Sequence, residues 1–542
     1  MSKIILINCP PWGVVMPPLG IAYLSAYLRA KGIDTVVNDL NLILYQQADK
    51  LEKAYWNLDA INKISPIDIA QNLFFSFKQS INEYIKSLAD SKIIGFSANN
   101  MISAAFCGIF GAKIKQFYAD KIIIVGGPGV YHSWDRNIAD KTGIDFFVIG
   151  EGEEAFFQLV KVFIDNQCTK LSTAIPGVLS AGKLFSPRRV FIKDINSLPF
   201  PTFKEFDLKA YNPNSNYHPL PMLLSRGCIN RCSYCVDWYM CWPFRTRKKE
   251  SVIAEIKHHL DTYGVNNIEF NDLLCNGNLP HIESLCESIS AENFGINWIS
   301  YAAIRKSMSD RLMQKMKQSG CNSLCYGVES GSDFVLKRMN KNYTKKDAAN
   351  VLKMTHNAGI LTRINIIVGF PGETNDDFQQ TLDFIYENKN YISEVTNVSA
   401  FVFMPGSDLG IYPHKFGIRF LNSNLWTDEY GLSQKQRIQR VDIVCKLIKE
   451  IGIKNLIINC QEDIVNPSDK KEDIIKIASV ENITIINEHI ILQNFESLKL
   501  YKRPKVYRKT AAVLFLFIFS LLINFYLQFL KKNRKSIIFP GT

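Results

Sequence analysis

The 542-residue chain predicts an α/β protein, with a doubly wound N-terminal domain, a run of βα units, a C-terminal α+β extension and a hydrophobic terminal helix. Three observations predict it. Over about the first 165 residues, short continuous apolar runs alternate with helix-like stretches, the pattern of parallel strands covered on both faces. The same alternation resumes after residue 218. Near the C-terminus, residues 511–530 carry no charge and are long enough to cross a bilayer core as a helix.

In the N-terminal domain, residues 1–185, strands are predicted at 3–8, 34–38, 92–97, 121–125 and 145–149, and helices at 18–30, 103–117 and 153–164. Ligands of such sheets bind at the carboxyl ends of the strands. Three of these ends are rich in turn-forming residues: Ser97-Ala98-Asn99-Asn100, Gly126-Gly127-Pro128-Gly129 and Gly150-Glu151-Gly152-Glu153. None fits G-x-G-x-x-G, and no G-x-x-x-x-G-K-[ST] occurs, which disfavours a dinucleotide or a P-loop nucleotide. Residues 186–217, with Pro199-Phe200-Pro201, read as a linker. From 218 to 420, strands are predicted just before Cys228 and at 267–270, 296–303, 323–328, 363–368 and 395–403, six strands of an open barrel. Residues 421–498 read as an accessory α+β segment, and 499–542 as a basic-flanked membrane-anchor helix.

The formal charge of +12 is concentrated at one end. No acidic residue follows Glu496, while Lys499, Lys502, Arg503, Lys505, Arg508, Lys509, Lys531, Lys532, Arg534 and Lys535 bracket the apolar run. The rest of the chain is nearly neutral, at about +2. A phosphate-tracking groove needs basic residues across the catalytic body, so no nucleic-acid partner is expected. Core helices rarely carry basic clusters at both ends, and the run reads as membrane-associated. Ser520, Asn524 and Gln528 give it one mildly polar stripe, suited to a helix contact in lipid or to an in-plane helix. Thirteen cysteines at mostly irregular spacing, with no signal peptide at Met1-Ser2-Lys3-Ile4, predict an intracellular protein on the cytoplasmic face of a membrane.

The run with the most chemistry is Arg226-Gly227-Cys228-Ile229-Asn230-Arg231-Cys232-Ser233-Tyr234-Cys235. Cysteines spaced C-x3-C-x2-C can ligate three irons of a cuboidal [4Fe-4S] cluster and leave the fourth open for a cofactor, the logic that separates catalytic from structural zinc sites. A zinc knuckle would want a fourth ligand nearby, and only Cys241 offers itself.

This spacing resembles the signature of the radical S-adenosylmethionine (SAM) superfamily. The resemblance implies a partial (β/α)6, TIM-like radical SAM barrel, with Cys228, Cys232 and Cys235 on the cluster and SAM chelated to the open iron. Further stretches agree with it. In similar proteins the carboxylate at the position of Glu329, in Gly327-Val328-Glu329-Ser330-Gly331-Ser332, contacts SAM, and Tyr234 and Ser330 are placed in the same set. Asp272 ends the strand after the cluster loop, where relatives hold the SAM amino group. Gly369-Phe370-Pro371-Gly372-Glu373-Thr374 matches a strand end that shapes the adenine and ribose pocket, implicating Gly369, Pro371 and Glu373.

The N-terminal region resembles the Rossmann-like cobalamin-binding domain found in front of many radical SAM enzymes. The residues that carry this are Pro17-Pro18-Leu19-Gly20-Ile21-Ala22-Tyr23-Leu24, Gly126-Gly127-Pro128 and Val148-Ile149-Gly150-Glu151-Gly152-Glu153. The implied cobalamin contacts are Ser97, Asn99, Gly126, Gly127, Gly150, Glu151 and Gly152. No D-x-H-x-x-G occurs, so the cobalt's lower face is expected to lack a histidine. No catalytic residue is assigned; Cys325 and Arg305 are weak candidates, Cys325 because it shares strand parity with Glu329 and Cys321. Trp238, Tyr239 and Trp242 are expected to pack over the cluster, where a radical site must exclude water and oxygen.

The resemblance implies a cobalamin-dependent C-methyltransferase, fed by a flavodoxin- or ferredoxin-type donor, that cleaves SAM reductively and methylates an unactivated carbon. The tail suggests a lipid-like or hydrophobic small-molecule substrate. Alternatives are a tetrapyrrole or isoprenoid cyclase, oxidase or rearrangement enzyme, a tRNA methylthiotransferase, and a membrane-tethered cobalamin or redox sensor without catalysis.

Overall fold

The computed structural model describes residues 4–57, 65–130, 143–166, 174–181, 190–404, 406–420 and 426–455. Residues Met1–Ile485 make one compact unit. Among the described residues no helix is long and apolar enough to cross a membrane. The predicted anchor 499–542 and most of the accessory segment fall outside the described residues.

The first sheet contains β1 (Ile4–Asn8), β2 (Thr35–Asp39), β3 (Ile93–Ser97), β4 (Ile122–Gly126), β5 (Phe146–Val148) and β6 (Val178–Ser180), in the order β2-β1-β3-β4-β5-β6. All pair in parallel except β6, which adds antiparallel to β5. Alternate residues feed two cores. Ile5, Ile7, Ile94 and Phe96 enter one, and Ile4, Leu6, Ile93 and Ile124 the other, which is why the strands read as unbroken apolar runs. The order reverses between β1 and β3, and at such a switch point the strand ends open a crevice for a ligand. The helix after β3, Met101–Phe117, starts on a reciprocal cap between Asn100 and Ser103.

The segment 190–217 is no loose linker. Ile195, Phe203, Phe206 and Tyr211 are buried, and all but Ile195 belong to the second N-terminal core. The second sheet opens with β7 (Leu220–Met222), and the chain then forms the hairpin β8 (Ser225–Arg226) and β9 (Arg245–Thr246) around the cluster loop. β10 (Asn267–Phe270), β11 (Asn297–Ala302), β12 (Cys321–Glu329), β13 (Leu361–Val368) and β14 (Glu394–Ala400) follow, each in parallel with the last. After a second hairpin, β15 (Arg419–Phe420) with β16 (Trp426–Thr427), helix Gln434–Glu450 leads to β17 (Lys454–Asn455). β17 pairs with β14 as a seventh strand, so the accessory segment expected to begin at 421 continues the barrel. Strand faces alternate as in a barrel: Trp298, Leu324, Tyr326, Ile364 and Ile366 pack outward in the core that includes helix residues such as Leu285, Met313 and Leu352.

One parity expectation fails. The β11–β12 register shifts between Trp298 and Ile299, so that Asn322 has no partner residue. This irregularity turns Cys321 into the outer core with Trp298, whereas Cys325 stays beside Asn365 and Thr396.

Candidate active site

The cluster loop, 227–236, is held at both ends. Gly227 has φ +94°, and a β-carbon there would lie 2.7 Å from the Cys241 carbonyl and 2.8 Å from that of Pro243, so only glycine fits. At the other end, Ser233 donates from its amide to Met339 O (2.9 Å) and from Oγ to Arg338 O (2.9 Å), while Leu409 N donates to Ser233 O (2.8 Å). Asn340 Nδ2 binds Arg231 O at 2.6 Å. Cys232 is buried, and Cys228 and Cys235 are half-buried. Burial pushes the thiols up, Cys228 to about 11 and Cys235 to about 12, with each also sensing Cys232. Among the described residues no three His, Cys, Asp or Glu side chains converge as they would on a single metal ion. A cuboidal cluster takes each thiolate on a different iron, and three cysteines on one anchored loop suit it. Cys241 senses Asp237, Glu151 and Arg245, and its thiol is pushed up to about 11, chiefly by burial.

Beside this loop the structure brings Tyr234 and Glu329 together. Tyr234 donates its hydroxyl to Glu329 Oε1 at 2.9 Å. Glu329 ends β12 with φ +66°, a left-handed conformation that costs a non-glycine residue energy and curls its carboxylate back over Gly327. Lys341 completes the group, with Nζ 3.2 Å from Glu329 Oε1 and 3.3 Å from Gly327 O. Burial disfavours its charge, but Tyr343, Tyr234 and Glu329 outweigh that and hold its pKa well above the ordinary lysine value. Lys341 was not singled out from the sequence. Its place in Asn340-Lys341-Asn342-Tyr343, twelve residues after Glu329, has no local signal.

Other predicted SAM residues are turned to internal duties. Both Asp272 oxygens are engaged, Oδ2 by Leu224 N (2.9 Å) and Oδ1 by Ser225 N and Oγ (2.5 Å each). Burial nevertheless pushes Asp272 up to about 7. It anchors the strand entering the cluster loop. Ser330 is fully buried, with Oγ 3.1 Å from Thr381 Oγ1 and accepting from Ser332 N. Glu373 accepts from Gly369 N (2.6 Å) and pairs with Arg440, and burial pushes it up to about 7. Gly369 (φ +71°) stands against Arg437, whose Nε donates to Gly369 O at 2.8 Å, and Pro371 O accepts from Arg338 Nε at 3.0 Å. The 369–373 turn is therefore shaped by arginines. Glu373 braces it from inside through Oε2.

Of the two weak catalytic candidates, Arg305 donates to Asn276 O (2.9 Å) and Gly277 O (2.6 Å), bracing the loop after β10. Cys325 faces Thr396 Oγ1 at 3.4 Å, and burial raises its pKa. Trp238, on the short helix Asp237–Met240 after the loop, stacks edge-on with Tyr239 and lies under the guanidinium of Arg231 from the cluster loop. Trp242 is half exposed.

At the N-terminal sheet, the predicted cobalamin residues collect at the strand ends. Ser97 ends β3 beside Asn8 and Cys9 of the switch point, and Asn99 donates from Nδ2 to Asn8 Oδ1 (2.9 Å). Gly126 ends β4. Gly127 (φ +105°) packs so tightly on Ala98 that a β-carbon would meet its carbonyl at 2.4 Å. Glycine here lets the β3 and β4 ends pack closely beside the switch point, where such sheets take a ligand. Gly150 (φ +101°) and Gly152 frame a turn from which Glu151 leaves the crevice: it forms a two-point ion pair with Arg245, Nη2–Oε1 2.6 Å and Nη1–Oε2 3.0 Å. Its carboxylate is thereby engaged by the cluster-loop hairpin.

Residues 222–385 match the model of the radical SAM superfamily. Over 322 residues the chain is 32% identical to the ribosomal protein uS12 methylthiotransferase of Clostridioides difficile, covering 55% of this chain and 71% of that one. It is 25% identical over 376 residues to an uncharacterized methyltransferase of Pyrococcus horikoshii, 69% and 73% of the two chains. Among solved structures it resembles the radical SAM methyltransferase TsrM of Kitasatospora setae, which holds cobalamin and a [4Fe-4S] cluster, with TM-score 0.58, 16% identity and coverage of 77% and 79%.

Proposed function

The chain belongs to the radical SAM superfamily, and from that premise we propose that it is a cobalamin-dependent C-methyltransferase acting on an unactivated carbon of a hydrophobic small molecule. The observation that carries this reading is the pairing of two sites in one compact unit. A three-cysteine loop lies beside the Tyr234–Glu329–Lys341 group, and next to it stands a sheet whose glycine-rich strand ends flank a switch point. When bound, the cluster supplies the electron that cleaves SAM, and cobalamin supplies the carrier for the methyl group.

The chain's own residues hold, orient and exclude water. Cys228, Cys232 and Cys235 would hold the cluster. Tyr234 and Lys341 fix the Glu329 carboxylate at the end of β12, where it would hold SAM through a charge-assisted contact. The 369–373 turn, fixed by Arg437 and Arg440, walls the nucleoside end. Ser97, Asn99, Gly126 and Gly127 would border the cobalamin. The tail 499–542 holds the enzyme to the cytoplasmic side of a membrane, where a lipid-like substrate would be found; deleting it should move the protein from the membrane fraction to the supernatant.

The test is anaerobic. The full chain is reconstituted with iron, sulfide and cobalamin, given SAM and a strong reductant, and assayed for 5'-deoxyadenosine and S-adenosylhomocysteine beside Cys232→Ala. Both products, with deoxyadenosine lost in the variant, support the methyltransferase. Deoxyadenosine alone favours a cyclase or rearrangement enzyme, and neither product from a protein with a verified cluster favours a sensor.

A further inference from the structure

The turn Gly150-Glu151-Gly152-Glu153 touches more than its own sheet. Glu151 binds Arg245 through both carboxylate oxygens and lies 3.5 Å from Arg226 Nη1. Glu153 takes the other arm of Arg226, Nη2–Oε1 2.6 Å. These arginines face each other across the β8–β9 hairpin, in register, and Arg226 stands two residues before the first cluster cysteine. Both strands that carry the cluster loop are therefore gripped by one turn of the N-terminal domain. The Arg226 guanidinium also lies over the ring of buried Tyr23, at 5.4 Å, so a second N-terminal element meets the same residue. Glu151 further accepts from Ile192 N at 2.5 Å, and its amide donates to Val190 O at 3.1 Å. Gly150 permits this closeness, because a β-carbon there would lie 2.7 Å from Val190 O.

Adhesion alone does not call for this chemistry. All four side chains are at most 15% exposed, and burying charges costs desolvation that a well-packed apolar contact would avoid. What a two-point guanidinium–carboxylate pair adds is orientation, since its planar fork fixes both angle and distance. The same turn follows on β5, whose neighbour β4 ends at Gly126, with Val148 Cβ 3.6 Å from where a Gly126 β-carbon would stand. One short segment thus leads off a strand end beside the expected cobalamin residues and meets the cluster loop with its carboxylates.

We infer that Glu151 and Glu153, through Arg245 and Arg226, are positioning residues that couple the occupant of the N-terminal crevice to the cluster loop, so that cobalamin binding changes how the cluster site receives SAM. This rests on the proposed function for the identity of the two cofactors. It assigns the two carboxylates to neither cofactor directly.

The test is a binding measurement on the reconstituted full chain. A SAM analogue that cannot be cleaved reductively is titrated in place of SAM against the electron paramagnetic resonance spectrum of the reduced cluster, with and without cobalamin, in the wild type, Glu151→Gln and Arg245→Lys. In the wild type, cobalamin should change the analogue's midpoint by about fivefold or more, the lower range of ordinary coupling. Glu151→Gln should keep its iron and still bind cobalamin by absorbance, yet bring that ratio close to one. Arg245→Lys keeps the charge without the fork and should fall between; it decides the question alone if Glu151→Gln does not fold. An unchanged ratio in the variants, or a wild-type ratio of one, overturns the clamp. A wild type that assembles no cluster, or binds no cobalamin, overturns the underlying functional reading instead.

Discussion

Lys341→Met should strand a buried carboxylate. Glu329 and Lys341 side chains are only 10% and 9% exposed, and the ion pair between them is 3.2 Å long. An exposed pair of this kind is worth about 0–1 kcal/mol. Removing one partner of a buried pair costs about 3–5 kcal/mol, because the remaining charge has lost its counter-ion without regaining water. Here Glu329 keeps the Tyr234 hydroxyl, at 2.9 Å, so the lower part of that range, about 3 kcal/mol, is expected. Neutralising the carboxylate as well removes the stranded charge, so Glu329→Gln/Lys341→Met should be more stable than the sum of the single changes predicts, by about 1–3 kcal/mol. The assay is denaturant unfolding of the cluster-free chain, with the slope checked for constancy between variants. A loss below about 1 kcal/mol for Lys341→Met, or strict additivity in the double variant, would refute the claim that this pair is electrostatically buried.

Three further outcomes follow from the same geometry. Gly227→Ala places a methyl group against the Cys241 and Pro243 carbonyls in a left-handed backbone, and should fold while retaining well under the wild-type iron and sulfide after reconstitution. Arg437→Met empties the side chain that fills the space under Gly369 and leaves the fully buried Asp428 unpaired; a loss of about 3–5 kcal/mol and a weakened SAM midpoint should appear together. Asp272 and Glu373 are each raised by burial to about 7, so on folding they take up protons between about pH 4 and pH 7. Stability of the cluster-free chain should therefore decline as pH rises through that window and level off above it, and Glu373→Gln should flatten part of the slope; a stability that rises steadily from pH 4 to 7 would contradict this.

The parts legible in the sequence were those with a local signature. The parallel strands declared themselves as apolar runs, and the observed β1, β3, β4 and β10 begin or end within a residue of the predicted positions. The glycine before Cys228 and the glycines at 127, 150 and 369 mark turns whose φ is positive, a property one residue can announce. The helices Leu40–Gln47, Pro66–Ser76 and Lys78–Ser87 were missed: none is closed by a glycine, although Asp39 caps the first and Ser65-Pro66 opens the second. The short β17 was illegible for a different reason: two residues form a strand only because β14 presents an edge to them.

By itself the sequence determined the cofactor chemistry, since three cysteines at fixed spacing on one loop, and a glycine where no side chain fits, are properties of a few consecutive residues. Only the tertiary structure decided what the surrounding carboxylates do. Glu151 was read as a cofactor contact and serves an arginine 94 residues away; Asp272 holds a strand 47 residues before it; Glu373 pairs with an arginine 67 residues on. A carboxylate's role is set by the donors that surround it once water is gone, and those donors come from distant parts of the chain that only folding brings together.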